Sequence, residues 1–116
     1  MQVELPVRHR GECCDLTAEL NPEVAGQMVE VLKALADRTR LQVVAILMRA
    51  QQPICVCDLT AVSELTQPTI SHHMGKLKAA GLIESSKMGI WAYYSIRDDL
   101  DPQVRTLVAA AVGEPR

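Results

Sequence analysis

Phenylalanine is absent from the 116 residues, and aromatic side chains make up only 3% of them. Hydrophobic residues still account for 48%, so the interior has to be built from Leu, Val, Ile, Ala and Met, which suit packed helices. The length excludes two well-buried cores and leaves one ordinary domain. No apolar run approaches the roughly 20 residues that a membrane span needs, and the N-terminal residues show no apolar segment of the signal-peptide kind. The expectation is a cytoplasmic protein that does not engage membranes. Excess charge is missing too: the net value is −2, which argues against a generic polyanion binder.

What is present is unevenly distributed. Between Gln67 and Arg97 stand four basic residues, Lys76, Lys78, Lys87 and Arg97, against the single acid Glu84, a local +3 that leaves −5 for the rest of the chain. A basic face on an acidic body is a phosphate-binding footprint, although a solvated helix face of that charge is also common. Four cysteines in a reducing compartment point to metal binding or redox chemistry rather than a disulfide framework.

Residues 1–20 show little periodicity and carry Cys13 and Cys14; they read as an N-terminal arm. Residues 21–112 read as one folded domain and 113–116 as a tail. Asn21 and Pro22 form a cap and first-turn pair, and Val24, Met28, Val31, Leu32 and Leu35 follow at helical spacing, which predicts a helix over 22–35. Asp37 caps a second helix over 38–50. A short helix follows over 56–62, with 63–65 as the turn. Thr66 caps a further helix that Gly81 stops after Ala80. The β-prone runs 82–87 and 90–96, separated by Met88 and Gly89, predict a hairpin. Asp101 and Pro102 open a last helix whose Val104, Leu107, Val108, Ala111 and Val112 form an apolar stripe. That stripe, with the one on the first helix, fits a layer between two subunits of a homodimer.

The fold class expected is therefore mainly α with a small β-hairpin, a dimeric winged helix-turn-helix. In that arrangement the second helix of the pair enters the major groove of double-stranded DNA, and residues near its N-terminus meet base edges. Gln67, Thr69, Ser71 and His72 are the candidates for bases, and Lys76 for the phosphate backbone, with Lys87 on the hairpin. His73 leans toward the buried stripe, where a hydrogen-bonded interior histidine is as good a reading as a DNA contact.

The remaining cysteines, Cys55 and Cys57, lie at the start of the short helix, where the helix N-terminus is expected to lower a thiol pKa. Thiolates select soft or borderline ions. In a regular helix, residues two apart point about 200° away from each other, so both sulfurs meet one ion only if the first turn is irregular. The bland reading of one cysteine is a small buried hydrophobe, but two close pairs favour ligation by Cys13, Cys14, Cys55 and Cys57.

The segment Leu65 to Glu84, reading LTQPTISHHMGKLKAAGLIE, resembles the recognition helix of the ArsR/SmtB family of metal-responsive repressors. Leu35-Ala-Asp-Arg-Thr-Arg-Leu41 is similar to that family's helix junction, Tyr94 fits its second wing strand, and about residues 28–97 are covered. Gly75 and Ile90 depart from the pattern, which commonly has a basic or polar residue at the first position and often arginine at the second. The resemblance implies a dimeric repressor of operator DNA and no enzyme, and nothing in the chain offers the phosphate-cradling loop or Cys-His pair of a thiol enzyme.

Ile54-Cys-Val-Cys-Asp-Leu59 also resembles the thiolate motif of the family's arsenic, antimony, cadmium and lead sensors. Arsenic-sensing members often carry a third cysteine where Thr60 stands, and some members draw further cysteines from an N-terminal arm. The implied inducer is As(III) or Sb(III) on three thiolates, with Cd(II) or Pb(II) on three or four as the alternative. The zinc sensors of the family use histidines on the C-terminal helix. Here His9, His72 and His73 all lie elsewhere. The rival from another class is a thiol redox switch, in which the close cysteines report oxidants.

Overall fold

The computed structural model describes residues 20–113. The elements run α1 (Pro22–Leu35), α2 (Arg38–Arg49), β1 (Ile54–Cys55), α3 (Val56–Ser63), α4 (Gln67–Ala79), β2 (Ile83–Met88), β3 (Trp91–Ile96) and α5 (Pro102–Val112). The expected arm residues Cys13 and Cys14 and most of the expected tail lie outside the described residues. Among the described residues, no helix is long and apolar enough to cross a membrane.

Each helix starts where a side chain can satisfy a free backbone N–H. Asn21 accepts from the Glu23 amide, Asp37 from Arg40, Thr66 from Thr69 and Asp101 from Gln103. The end of α4 is as well defined. Gly81 takes a left-handed φ of +79°, and the Leu82 amide reaches back to the Leu77 carbonyl at 3.1 Å. The buried side chains of Leu77 and Leu82 flank this wrap, the hydrophobic contact that usually accompanies it.

The core lies where the helices meet the sheet. Val31 and Leu35 of α1, Val44 and Leu47 of α2, Leu59 of α3, and Ile70, Met74 and Leu77 of α4 are buried with Leu82, Ile83, Val104 and Val108. Ile70, Met74 and Leu77 are fully excluded from solvent, and burial of each such side chain contributes about 1.5–3 kcal/mol. That stripe leaves the opposite face of α4 free.

Three features differ from the sequence expectations. The sheet has three strands, in the order β1-β3-β2, because Ile54 and Cys55 pair with Tyr94 and Tyr93. A two-residue strand has no periodicity to read. The hairpin turn is Gly89-Ile90, one residue later than expected, since Met88 still pairs with Trp91. Gly89 has φ +67° and Ile90 does not share a positive φ, the pattern of a turn that wants glycine first. On α5, Val104 and Val108 are buried within the chain against α2, so only part of the stripe, with Ala111 exposed and Leu107 half-buried, faces outward.

Candidate nucleic-acid interface and thiolate pair

Helix α3, a turn and α4 form the central unit of the site. Glu64 takes the left-handed conformation, φ 60°, at the end of α3, and this lets the chain reverse into the Thr66 cap. Gln67, Thr69, Ser71, His72, Gly75 and Lys76 are all exposed along the outer face of α4. This is the face expected to carry base and backbone contacts. The Thr69 hydroxyl lies 2.9 Å from that of Thr66, so it also serves the cap.

His73 is turned the other way. Its side chain is mostly buried, Arg40 Nη1 lies 3.2 Å from its Nδ1, and the Asp37 carboxylate is 4.0 Å from the same nitrogen. The structure thus brings it against the start of α2, in the interior, hydrogen-bonded manner, rather than onto the outer face. The Arg40 backbone N–H, followed by the Arg40 charge, holds the Asp37 carboxyl below its usual range against an opposing desolvation.

The basic residues divide in the same way. Arg97 is committed to Asp99 by two hydrogen bonds of 2.8 Å, and that carboxylate raises its pKa further. Lys78 donates to the Ser85 hydroxyl at 2.7 Å and so ties α4 to the wing strand β2. Lys76 and Lys87 are exposed, on α4 and β2 respectively. Sequence reasoning had no signal for the Arg40–His73 pair, which joins two helices across 33 residues, or for Lys78–Ser85, which joins a helix to a strand.

Cys55 and Cys57 do converge, by a route other than an irregular helical turn. Cys55 lies outside α3 as its N-cap, with extended φ/ψ of −69° and 143°, and its sulfur accepts from the Cys57 amide at 3.4 Å. The two sulfurs are 2.6 Å apart. Two metal–sulfur bonds of about 2.3 Å at a tetrahedral angle would set them about 3.8 Å apart, a small opening for side chains on one turn. Cys55 is 4% exposed and Cys57 is at the surface. The Cys57 pKa is raised, not lowered as the helix N-terminus had suggested. Its thiol donates to the Cys55 sulfur, and desolvation and the negative charges of Cys55 and Asp58 add to this.

Thr60 donates its hydroxyl to the Val56 carbonyl at 2.9 Å, closing the position where a third thiolate would come from the same helix. No group of three or more His, Cys, Asp or Glu side chains suited to a metal occurs among the described residues. The donor set present is two soft sulfurs. It fits a thiophilic ion that draws at least one more ligand from outside this region.

Helices α2, α3 and α4 against the β2–β3 hairpin, with the capped, polar-faced α4 as the second of a tight pair, define a winged helix-turn-helix DNA-binding protein. Residues 37–85 match the family described as bacterial regulatory protein, arsR family. Among curated proteins the chain is similar to the arsenical resistance operon repressor of Bacillus subtilis, 37% identical over 81 residues that make up 70% of this chain and 76% of that one. It is also 35% identical over 82 residues to an arsenic resistance transcriptional regulator of Pseudomonas putida, covering 71% of this chain and 63% of that regulator, less than two thirds of its length. A solved homodimeric winged helix-turn-helix DNA-binding domain from Mycobacterium bovis aligns with a TM-score of 0.63 at 28% identity, over 82% of this chain and 85% of that one. The chain belongs to the ArsR family.

Proposed function

We propose that this protein is a homodimeric repressor that binds operator DNA through α4 and releases it when As(III) or Sb(III) is captured by cysteine thiolates. Base contacts come from Gln67, Thr69, Ser71 and His72, backbone contacts from Lys76 and Lys87, and His73 acts from inside. Cys55 and Cys57 supply two sulfurs, and Cys13 or Cys14 of the arm, from the same or the partner subunit, the rest. The observation that carries this reading is the meeting of the Cys55 and Cys57 sulfurs at the joint between β1 and α3. The names of the Bacillus and Pseudomonas relatives support arsenic as the inducer.

The joint is placed to move the DNA-reading surface. Cys55 pairs with Tyr93 of the wing strand β3, while α3 packs against α4. A ligand that pulls the two sulfurs into a new arrangement therefore strains both the wing and the recognition helix. Release requires that the ligand bind the free protein more tightly than the DNA-bound one, a coupling of at least about 1–3 kcal/mol.

Titrating the reduced protein on fluorescent operator DNA with arsenite, antimonite, cadmium, lead and zinc tests the reading. Arsenite and antimonite are expected to dissociate the complex at the lowest concentrations; cadmium or lead acting first would assign the same site to those ions. Cys57→Ser is expected to bind operator normally and to ignore arsenite. Loss of DNA binding by that variant would refute the separation of sensing from reading. Peroxide in place of arsenite, followed by mass spectrometry for a disulfide, tests the redox rival.

A further inference from the structure

Among the described residues, the side-chain hydrogen bonds on the outer face of α4 are confined to its first turn. Gln67, Ser71 and His72 make none, so their polar groups are free for a base edge. Thr69 differs. Its hydroxyl lies 2.9 Å from the Thr66 hydroxyl, and its amide donates to the same Thr66 oxygen at 3.4 Å. Beside it stands Pro68, exposed and with no N–H to give.

We propose that Thr69 reads thymine: its γ-methyl, with the Pro68 ring beside it, packs on the 5-methyl group of one T·A pair in each operator half-site. The inference rests on the operator-binding reading above and deepens it by naming a base and the group that selects it. Its first support is the commitment of the hydroxyl. A threonine Cβ carries a hydroxyl, a methyl and a hydrogen. With the hydroxyl turned back on the cap, the methyl is the group left to meet an incoming surface. A base that took the hydroxyl would have to take it from Thr66, and so would loosen the cap that starts the helix.

The second support is the lack of donors at this point. Pro68 has no N–H, that of Thr69 is held by the Thr66 hydroxyl, and that of Ile70 by the Thr66 carbonyl at 3.0 Å. A first turn so closed offers little to a phosphate, and the small apolar surface of Pro68 and Thr69 wants an apolar target. In the major groove thymine alone among the four bases presents a methyl group. Position agrees, since Thr69 is the third residue of α4, where a recognition helix meets base edges.

The test uses the full chain and an operator duplex recovered from random DNA by selection, with its thymines replaced one at a time by deoxyuridine. That change removes the methyl and leaves every hydrogen-bonding group in place. The native protein is expected to lose about fourfold in affinity at one thymine per half-site, the equivalent of one buried methyl group. Thr69→Ser keeps the hydroxyl for Thr66 and lacks the methyl, so it should bind the thymine and uracil duplexes alike at that step. Thr69→Val keeps a methyl and gives up the hydroxyl, and should still prefer thymine. With C·G at the same step, 5-methylcytosine should bring the native protein about fourfold over cytosine and bring Thr69→Ser nothing. Discrimination kept by Thr69→Ser would give the methyl contact to another residue and overturn the inference. Its loss in Thr69→Val would assign the base to the hydroxyl, with the same result. Indifference of the native protein to every thymine methyl would also overturn it and leave operator binding standing. If the native protein recovers no duplex, both readings fall.

Discussion

Arg40 links the end of α1 to the recognition helix: its Nε donates to the Ala34 carbonyl at 2.6 Å and its Nη1 to the His73 Nδ1 at 3.2 Å. A guanidinium only donates, so the ring must accept at Nδ1 and carry its proton on Nε2. Arg40→Ala is expected to lower stability by about 1–3 kcal/mol, the usual cost of half-buried hydrogen bonds to a charged group. Operator affinity should fall with it, because α4 loses its tie to α2. His73→Asn offers an amide oxygen close to the position of Nδ1 and should retain most of both. Urea denaturation and operator titration of the two variants check the ordering; equal losses would show that the ring's volume, not its nitrogen, matters.

Asp37 caps α2 from the same cluster, and its pKa is lowered chiefly by the Arg40 backbone N–H. A carboxylate with a folded-state pKa below its unfolded value contributes stability that is fully present above the unfolded value, near 3.9. That contribution is lost as pH falls through the folded value. Asp37→Asn keeps a good cap but cannot titrate. Urea melts between pH 3 and pH 7 should show the native protein more stable than Asp37→Asn at neutral pH, a shallower acid limb for the variant, and convergence of the two as the Asp37 carboxyl protonates.

The sequence made the helices legible because each begins at a side-chain cap and carries a stripe such as Ile70, Met74 and Leu77. The outer face of α4 was legible for the same reason, being what such a stripe leaves over. Tertiary pairing was not. Cys55 meets Tyr93 across a two-residue strand, and its extended backbone is what brings its sulfur to Cys57. A 100° helical rotation applied to both cysteines put them on opposite sides. The raised Cys57 pKa has the same origin, since the neighbouring sulfur outweighs the helix terminus. His73 was legible only to the extent of its lean toward the buried stripe; its partner Arg40 lies 33 residues earlier.

Gly75 sits inside α4 on the exposed face, and a Cβ built there meets nothing within 4 Å. Glycine in a helix interior costs about 0.5–1 kcal/mol relative to alanine. Gly75→Ala should therefore raise the stability of the free protein by that amount. If α4 lies as close to the groove floor as the missing side chain allows, operator affinity falls at the same time. A variant that is both more stable and a tighter binder would place Gly75 away from the DNA.

Protons distinguish the two classes of inducer at the Cys55–Cys57 pair. The raised pKa leaves the Cys57 thiol protonated at neutral pH. Capture of Cd(II) or Pb(II) must expel that proton, so the affinity for these ions should fall by about tenfold per pH unit for each proton released. Arsenite enters as neutral As(OH)3, and each thiol that replaces a hydroxyl sends its proton away in a water molecule. No net proton is released. Calorimetry in buffers of different ionisation enthalpy, between pH 6 and pH 8, should therefore show proton release with cadmium and none with arsenite. Arsenite-induced release of operator should hold its midpoint across that range, while the cadmium midpoint moves to higher concentration as pH falls. If Cys57→Ser leaves the proton count for cadmium unchanged, this pair does not hold the ion.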